Sequence, residues 1–393
     1  MNILLIADGD TKYGASHSLF QLVKELNSLF KINIEIVYPF NSKIENKLEE
    51  VNTFNIHYTP FYQGIPADKW KFPIKYIIRG IMYWYGRFRA VKEVEKQLDV
   101  SKIDLIHSNS SREDLGALLA NKYNIPLIWH IREFGDRDYK CYSYRKKYID
   151  YMNKSAWRFI AVSNAVREHW IKKGIYQDKI VCIYNGVSQQ DIIVKLNNSI
   201  EGKNLRIVIL GSVSKTKGQV WAIEAIKKLA DEGINIALDV IGDGTGAYIK
   251  KLKRKVNNYG LQDLITFKGY LKNPGEQLAG YDIGLMCSKD EGFGRVTVEY
   301  MMAGLCVVAS DTGANSELIE DGKSGILYQY GNTGSLVNSI KKCINNPQNR
   351  IEMAKYGYIR ANQEFTAKKN AVQIYDIYKR ALKLREMSEC RLQ

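Results

Sequence analysis

Two carboxylates stand on either side of a glycine-rich turn, Glu291 before it and Glu299 after it. The turn, 292–294, follows an apolar run at 282–287 whose length predicts a buried parallel strand. A short helix is predicted over 296–304, since this segment ends on a glycine. The unpaired N–H groups at the start of that helix favour an anion such as a phosphate. Carboxylates on both sides of a phosphate indicate hydroxyl-rich groups on both sides of it, which is the form of a nucleotide sugar.

Four short motifs in this region resemble the signature of a known family. They are 291–294 (EGFG), Glu299, 302–304 (MAG) and 313–317 (GANSE). The chain is similar here to the large retaining glycosyltransferase family 4, whose members have the two-domain GT-B fold. The resemblance implies that Glu291 holds hydroxyls of the transferred sugar and that Glu299 holds those of the ribose. A structural alternative is that Glu299 only solvates a helix and Glu291 only decorates a turn.

The length and charge of the chain narrow its class. Its 393 residues suggest two domains that each bury a core. The net charge of +15 is compatible with nucleic acid, with anionic lipid and with an anionic small substrate. Six cysteines show no metal-ligand spacing, so we expect buried thiols in a reducing compartment. No segment reads as a signal peptide or a membrane span, and we expect a cytoplasmic protein, with peripheral attachment to the inner face of the cell membrane as an extension.

The N-terminal half begins as a doubly wound α/β domain. A strand over 2–7, a loop over 8–18 and a helix over 19–30 form its first repeat, and a further strand is predicted over 55–59. The loop contains Gly14 and Ala15, where the resemblance implies contact with the donor's diphosphate. Taken alone, such a loop is equally typical of a simple turn.

A histidine closes one strand of this half. His130 and Glu133 lie at the end of the strand predicted over 125–131, at the edge where open α/β sheets bind ligands. The resemblance implies that His130 faces the donor sugar and orients or polarises the reacting centre. The alternative is an imidazole satisfied by neighbouring backbone groups.

The C-terminal half repeats the same opening. A strand leads into the loop 211–218 and then into a helix. The resemblance implies two basic side chains in this loop that reach the diphosphate. Lys217 matches one of them, whereas Ser212 stands where the family has an arginine. Arg295 and Lys215 are the candidates to replace that charge.

The remaining predicted contacts lie at later strand ends. Gly242 ends one predicted strand, and Tyr270 and Leu271 follow the next, where the family holds the nucleotide base. The predicted catalytic residues are His130 and Glu291, and no metal site is predicted. The predicted nucleotide-sugar contacts are Gly14, Ala15, Ser212, Lys217, Gly242, Tyr270, Leu271, Gly292, Phe293, Gly294, Arg295, Val296 and Glu299.

A basic and aromatic stretch interrupts the first half. Residues 69–92 contain seven basic side chains, seven aromatic ones and no acidic one. This composition is typical of a membrane interface. Single-stranded nucleic acid or an ordinary packed helix is also compatible with it. A second basic-aromatic patch, 137–148, indicates a surface that docks something anionic. We favour an anionic membrane and predict no nucleic-acid partner.

These elements predict an α/β protein of the GT-B type, with two Rossmann-like doubly wound domains facing across a cleft. The expected boundaries are 1–188 for an acceptor-binding domain, 189–204 for a linker, 205–366 for a nucleotide-sugar-binding domain and 367–393 for a helix that braces the first domain.

The resemblance implies a retaining, metal-independent hexosyl transfer from a nucleoside-diphosphate sugar to a hydroxyl group. We expect UDP rather than GDP in the donor and no cofactor. The expected acceptor is a glycan or a lipid-linked or cell-surface polysaccharide precursor. Two alternatives stay open. One is a GT-B enzyme of other chemistry, such as a nucleotide-sugar epimerase; the other is a non-catalytic GT-B partner subunit.

Overall fold

The computed structural model describes residues 1–7, 14–39, 51–57, 73–137, 143–190, 192–194 and 205–390. The chain divides into two compact units. Unit 1 comprises Met1–Gly186 together with Ala367–Gln393, and unit 2 comprises Val187–Thr366. The predicted linker, 189–204, lies mostly outside the described residues, and so do parts of the two basic-aromatic stretches.

In its described residues, unit 1 contains a seven-stranded parallel sheet. Most of the strands are short apolar runs, as burial on both faces requires. They are β1 (Asn2–Ile6), β2 (Asn33–Pro39), β3 (Asn52–Ile56), β4 (Leu105–Ser108), β5 (Leu127–Ile131), β6 (Arg158–Ala161) and β7 (Ile180–Cys182). Their order in the sheet is β3-β2-β1-β4-β5-β6-β7. The helices of this part of the chain are α1 (Gly14–Phe30), α2 (Pro73–Gln97), α3 (Leu115–Tyr123), α4 (Tyr148–Ser155) and α5 (Asn164–Lys172).

The described part of unit 2 contains a six-stranded parallel sheet. Its strands are β8 (Arg206–Leu210), β9 (Ala237–Ile241), β10 (Ile265–Gly269), β11 (Ile283–Met286), β12 (Cys306–Ser310) and β13 (Ile326–Tyr328). They lie in the order β10-β9-β8-β11-β12-β13. The helices are α6 (Gln219–Asp231), α7 (Gly246–Asn258), α8 (Gly275–Leu278), α9 (Arg295–Met302), α10 (Asn315–Leu318), α11 (Thr333–Asn345) and α12 (Pro347–Glu364).

The last helix, α13 (Ala367–Cys390), belongs to unit 1. Its buried Ile374 and Tyr378 join the core formed by β1 and α1. The ring of Tyr375 stacks on Phe30 of α1, with 3.8 Å between centroids. Within the described ranges, no helix is both long enough and apolar enough to cross a bilayer.

The strand order reverses beside the first strand of each sheet, between β1 and β4 in unit 1 and between β8 and β11 in unit 2. Ligands of open α/β sheets bind at the carboxyl ends of the strands next to such a reversal. In unit 2 the loop 211–218 follows β8 and the loop 287–294 follows β11. The topology therefore places Lys217 and Glu291 at the ends of neighbouring strands.

The prediction of two Rossmann-like domains is confirmed by the two parallel sheets. Two predicted boundaries are wrong. The first helix begins at Gly14 rather than at residue 19, since the segment 14–18 contains alanine and serine, which are compatible with a helix, and no proline. The strand expected at 55–59 lies at Asn52–Ile56, where it pairs with β2.

Candidate active site

Two loops of unit 2 meet at the carboxyl ends of β8 and β11. The N–H of Lys289 donates to the carbonyl oxygen of Thr216 at 3.0 Å and ties the loops together. The ammonium of Lys217 donates to Oε1 of Glu291 at 2.5 Å. The side chain of Lys217 is 34% exposed and that of Glu291 is 12% exposed. A charge-assisted contact of this length holds both side chains in one place at the mouth of the sheet.

Close backbone contacts fix the Glu291 loop. Gly313 has a φ of +60°, and a Cβ there would lie 2.5 Å from the carbonyl oxygen of Glu291. The N–H of Ala314 donates to that same oxygen at 2.9 Å. Gly218 has a φ of +71°, and a Cβ there would lie 2.1 Å from the carbonyl oxygen of Cys287. Only glycine permits these two approaches, which bring the loops into contact.

A second ion pair lies on the helix that follows. Gly294, with a φ of +80°, precedes α9, and Nε of Arg295 donates to Oε1 of Glu299 at 2.7 Å. Both side chains are 17% exposed. The hydroxyl of Thr297 donates to Oδ1 of Asn315 at 2.9 Å and so attaches α9 to α10. Two ion pairs therefore flank the glycine turn, Lys217 with Glu291 before it and Arg295 with Glu299 after it. Two cations and two carboxylates suit a ligand that carries both phosphates and hydroxyl groups.

Five other predicted contacts differ in what they offer a ligand. The ring of Phe293 is buried and lies edge-on to Phe365, so this residue can reach a ligand only through its backbone. Tyr270 is 62% exposed after the end of β10, and Leu271 beside it is half-buried. Gly292 and Val296 are half-buried around the same glycine turn.

The loop 211–218 is shaped from beneath by a buried glutamine, which sequence reasoning missed. Oε1 of Gln219 accepts from the N–H of Ser214 at 3.2 Å, and its Nε2 donates to the carbonyl oxygen of Ser212 at 3.0 Å. Gly242 has a φ of +141°, and a Cβ there would lie 1.9 Å from the carbonyl oxygen of Gly211. The available signal was an amide side chain at the first position of the helix, directly before the apolar run 220–223.

The two candidates for the missing arginine lie in different surroundings. Arg295 contacts Glu299 directly. Lys215 lines a cavity of about 660 Å³ together with Trp221 and Tyr330. Of the two, Arg295 is therefore the cation next to the acidic residues of the predicted donor site.

His130 lies inside β5 and is fully buried in unit 1. Its Nδ1 is 3.2 Å from Nε2 of His107, whose Nδ1 lies 2.6 Å from the hydroxyl oxygen of Tyr378 on α13. Burial, with a smaller contribution from Arg132, lowers the pKa of His107 to about 3. Burial, Arg132 and His107 hold the pKa of His130 well below its usual value. Both imidazoles are therefore neutral at neutral pH.

One ring nitrogen of His130 is left over in this network. Among the described residues no group hydrogen-bonds to Nε2 of His130, although that atom is buried. Arg132 is occupied, since its Nε donates to Oδ1 of Asn109 and its Nη1 to Oδ1 of Asn185, both at 2.6 Å. A buried polar atom without a partner is costly unless a ligand or water satisfies it.

Glu133 has a partner set of its own. Its Oε1 accepts from the hydroxyl groups of Ser110 and Ser111 and from the N–H of Ser111, at 2.6–2.8 Å. These bonds shape the loop after β4. Gly14 and Ala15 are the first residues of α1, and the loop before them, 8–13, lies outside the described residues. The described residues contain no group of three or more His, Cys, Asp or Glu side chains placed to hold a metal ion.

Two family descriptions match the chain, one over each half. "Glycosyltransferase Family 4" matches residues 14–191, and "Glycosyl transferases group 1" matches residues 193–360. The chain belongs to glycosyltransferase family 4. The resemblance predicted from the motifs around Glu291 and Glu299 is thereby confirmed.

Two curated relatives are similar to this chain over most of their length. An uncharacterised glycosyltransferase of Methanocaldococcus jannaschii is 25% identical over 82% of this chain and 90% of its own. The capsular polysaccharide biosynthesis glycosyltransferase CapH of Staphylococcus aureus is 24% identical over 78% of this chain and 80% of its own.

Solved structures share the architecture. The Anabaena protein HepE, crystallised with UDP-glucose, has a TM-score of 0.76 at 22% identity, over 96% of this chain and 99% of its own. The lipopolysaccharide outer core galactosyltransferase WaaB has a TM-score of 0.68 at 17% identity, over 97% of this chain and 100% of its own. With the two parallel sheets, these likenesses identify the fold as GT-B.

Proposed function

We propose that this family-4 glycosyltransferase transfers a sugar, with retention at the anomeric carbon, from a UDP-sugar to a hydroxyl group. The observation that carries the proposal is the alternation of two cations and two carboxylates around the glycine turn, Lys217 with Glu291 and Arg295 with Glu299. The structural likeness to the Anabaena protein crystallised with UDP-glucose supports UDP as the nucleotide.

In this proposal the cations serve the leaving diphosphate. Charge develops on the diphosphate as the glycosidic bond breaks, and fixed donors aimed at it lower the barrier most. Lys217 and Arg295 each turn from their carboxylate toward a phosphate oxygen, joined by the N–H groups at the start of α9. The freed carboxylates then accept hydrogen bonds, Glu291 from the sugar and Glu299 from the ribose. No metal ion is assigned to the diphosphate.

Retention follows from a front-face route in this scheme. The departing phosphate takes the proton of the acceptor hydroxyl while an oxocarbenium-like sugar is held by Glu291. His130, neutral because burial lowers its pKa, would act as a hydrogen-bonding group and not as a charge. Its unpartnered Nε2 is the feature that supports a contact with ligand.

The acceptor is proposed to be a glycan or a lipid-linked precursor of a surface polysaccharide. The similarity to the capsular glycosyltransferase of Staphylococcus aureus supports this class. A lipopolysaccharide 1,6-galactosyltransferase of Escherichia coli supports it too, at 25% identity over 51% of this chain and 55% of its own.

Binding and turnover test the assignments separately. UDP should raise the melting temperature of the wild type, because a ligand of the native state stabilises it. Lys217→Met should weaken UDP binding about tenfold or more, since it removes a charged hydrogen-bond donor. Glu291→Gln should keep UDP affinity and lower sugar transfer about a hundredfold. Glu232→Gln, at an exposed ion pair with Lys341, is the matched control and should change neither.

Other outcomes point elsewhere. Absence of a thermal shift with any nucleoside diphosphate would favour a non-catalytic subunit. Conversion of the donor sugar without an acceptor would favour an epimerase. Full transfer by Glu291→Gln would remove the assigned role of that carboxylate.

A further inference from the structure

Helix α2 (Pro73–Gln97) has one buried face and one exposed apolar face. Tyr83, Arg87, Ala90 and Val94 recur at helical spacing and point into unit 1. On the opposite side lie large side chains that are 45–73% exposed: Ile74, Ile77, Ile78, Ile81, Met82, Trp84, Tyr85 and Phe88. We call this second set the outer face. Their spacing of three and four residues makes them one continuous stripe.

The inner face holds the helix in this orientation. Nε of Arg87 donates to Oδ1 of Asp114 at 2.7 Å, and both side chains are almost fully buried. The hydroxyl of Tyr83 donates to Oδ2 of the same carboxylate at 2.9 Å, while the Arg87 guanidinium lies 3.2 Å from the centre of the Tyr83 ring. Rotating the helix to bury the outer face would move Arg87 away from Asp114. The buried carboxylate would then lack its cation, which is costly. The outer face is therefore fixed outward.

A stripe of this size requires a partner. Globular proteins rarely expose contiguous large apolar side chains, and those that do use them for docking. The charge beside the outer face indicates the chemistry of the partner. Lys75, Arg89 and Lys92 are exposed on the same helix, and between Pro73 and Lys92 the sequence contains no acid. The partner should thus combine an apolar layer with negative charge.

We propose that the outer face of α2 docks unit 1 on an anionic lipid bilayer. The helix would lie in the plane of the interface, with its isoleucines among the acyl chains and Trp84 and Tyr85 at headgroup level. Arg89 and Lys92 would meet lipid phosphates. Docking on a bilayer does not require glycosyl transfer. Its purpose, to bring the active site to a membrane-borne acceptor, rests on the function proposed above.

Two other occupants fit the face less well. A second copy of the chain would bring the same exposed cations against each other, and like charges oppose such a contact. Single-stranded nucleic acid binds through stacking on aromatic rings. Half of the outer face is isoleucine, which offers no ring to stack on.

Vesicle flotation without nucleotide sugar tests the proposal on the full chain. Wild type should float with vesicles of phosphatidylglycerol and phosphatidylcholine, and less so with rising salt, because the attraction is screened. Ile77→Glu/Ile81→Glu should lower the bound fraction roughly tenfold or more, as each isoleucine loses its burial in lipid. Arg89→Glu/Lys92→Glu should also lower the bound fraction, but on anionic vesicles only. The control, Ile359→Glu/Leu384→Glu, alters two helical side chains that are each 51% exposed elsewhere and should bind like wild type.

Several results would overturn the proposal. These are wild type that stays with the soluble fraction, or an outer-face variant that floats like wild type. A dimer that Ile77→Glu/Ile81→Glu converts to monomer, without vesicle binding by either, would assign the face to self-association. A UDP thermal shift measured in parallel keeps the two proposals apart, because an outer-face variant should retain it whether or not docking holds.

Discussion

Ser212 offers a hydroxyl group at a position where the family signature has a guanidinium. Its side chain is exposed, and the loop holds it through its carbonyl oxygen and not through the hydroxyl. The loop geometry should therefore survive a larger side chain at this position. Within the part of the chain that the structure describes, Lys217 is the only basic residue of the loop 211–218 that contacts a carboxylate, that of Glu291.

Ser212→Arg should accordingly raise the affinity for UDP. A guanidinium bound to a phosphate in two places adds a charged hydrogen-bonding contact, and we expect about a tenfold lower Kd. Ser212→Gln adds similar length without charge and should leave the Kd near that of wild type. Calorimetric titration with UDP measures both. Equal affinities for the two variants would mean that the side chain at 212 does not reach the diphosphate.

His107 predicts a specific response to acid. Its pKa is about 3 in the folded chain against an ordinary value of 6.5, so the unfolded chain alone binds a proton between these limits. The contribution of neutral His107 to the free energy of unfolding is complete above pH 6.5 and is lost as the pH falls toward 3. The slope is about 1.4 kcal/mol per pH unit for one such group.

Chemical unfolding at a series of pH values checks this response. His107→Gln should unfold with a shallower pH dependence than wild type between pH 6 and 4. Ile160→Val, which alters the core of unit 1 but removes no titratable group, is the control and should keep the wild-type slope. An unchanged slope in His107→Gln would refute the assignment of the titration to this residue.

At the scale of elements, glycines decide where the loops of the site can lie. Gly313 and Gly322 both have positive φ, +60° and +75°. A Cβ at Gly313 would meet the Glu291 backbone, whereas one at Gly322 would meet nothing within 4 Å. Gly313→Ala and Gly322→Ala should each cost about 1–2 kcal/mol of backbone strain. Only Gly313→Ala should also displace Glu291 and abolish most sugar transfer. Melting temperature and turnover of the two variants separate strain from displacement, and matched turnover would contradict the prediction.

Sequence reasoning located elements better than it located contacts. Buried parallel strands such as β8 and β12 are apolar runs bounded by polar or glycine residues, so their positions are local information. The contact of Lys217 with Glu291 joins residues 74 positions apart and depends on the order of strands in the sheet, which no local pattern contains. The contact of Arg295 with Glu299 is local, since residues four apart face each other on a helix, but the predicted helix began at residue 296 and left Arg295 outside it.

Helix α2 shows the same limit in another form. Its composition indicated an interface, but apolar residues on both faces hide the helical period in the sequence. The distinction between the inner and the outer face needs the position of Asp114, which lies outside the helix. The assigned roles of the site residues, including His130, stay predictions, because a fold does not specify its ligand.

At the scale of the whole molecule, the chain makes two cores that do not follow its order. Unit 1 takes α13 from the far end of the sequence, and Ile374 of that helix lies in the core with β1. Ile340 on α11 lies in the core of unit 2. Both isoleucines are fully buried, so truncation of either creates a cavity of similar chemistry in a different core.

The two truncations should act on different parts of the sequence. Ile374→Ala and Ile340→Ala should each destabilise their own core by about 2–5 kcal/mol. Native-state hydrogen exchange reports opening locally, so Ile374→Ala should speed exchange in strands β1 to β7 as well as in α13, although all of these strands lie far from position 374 in the sequence. Ile340→Ala should speed exchange in 205–366 instead. If Ile374→Ala sped exchange in α13 alone, the helix would not be part of the cooperatively folded core of unit 1. If either variant loosened the whole chain equally, the two cores would unfold as one, because the stability of one would then depend on the other.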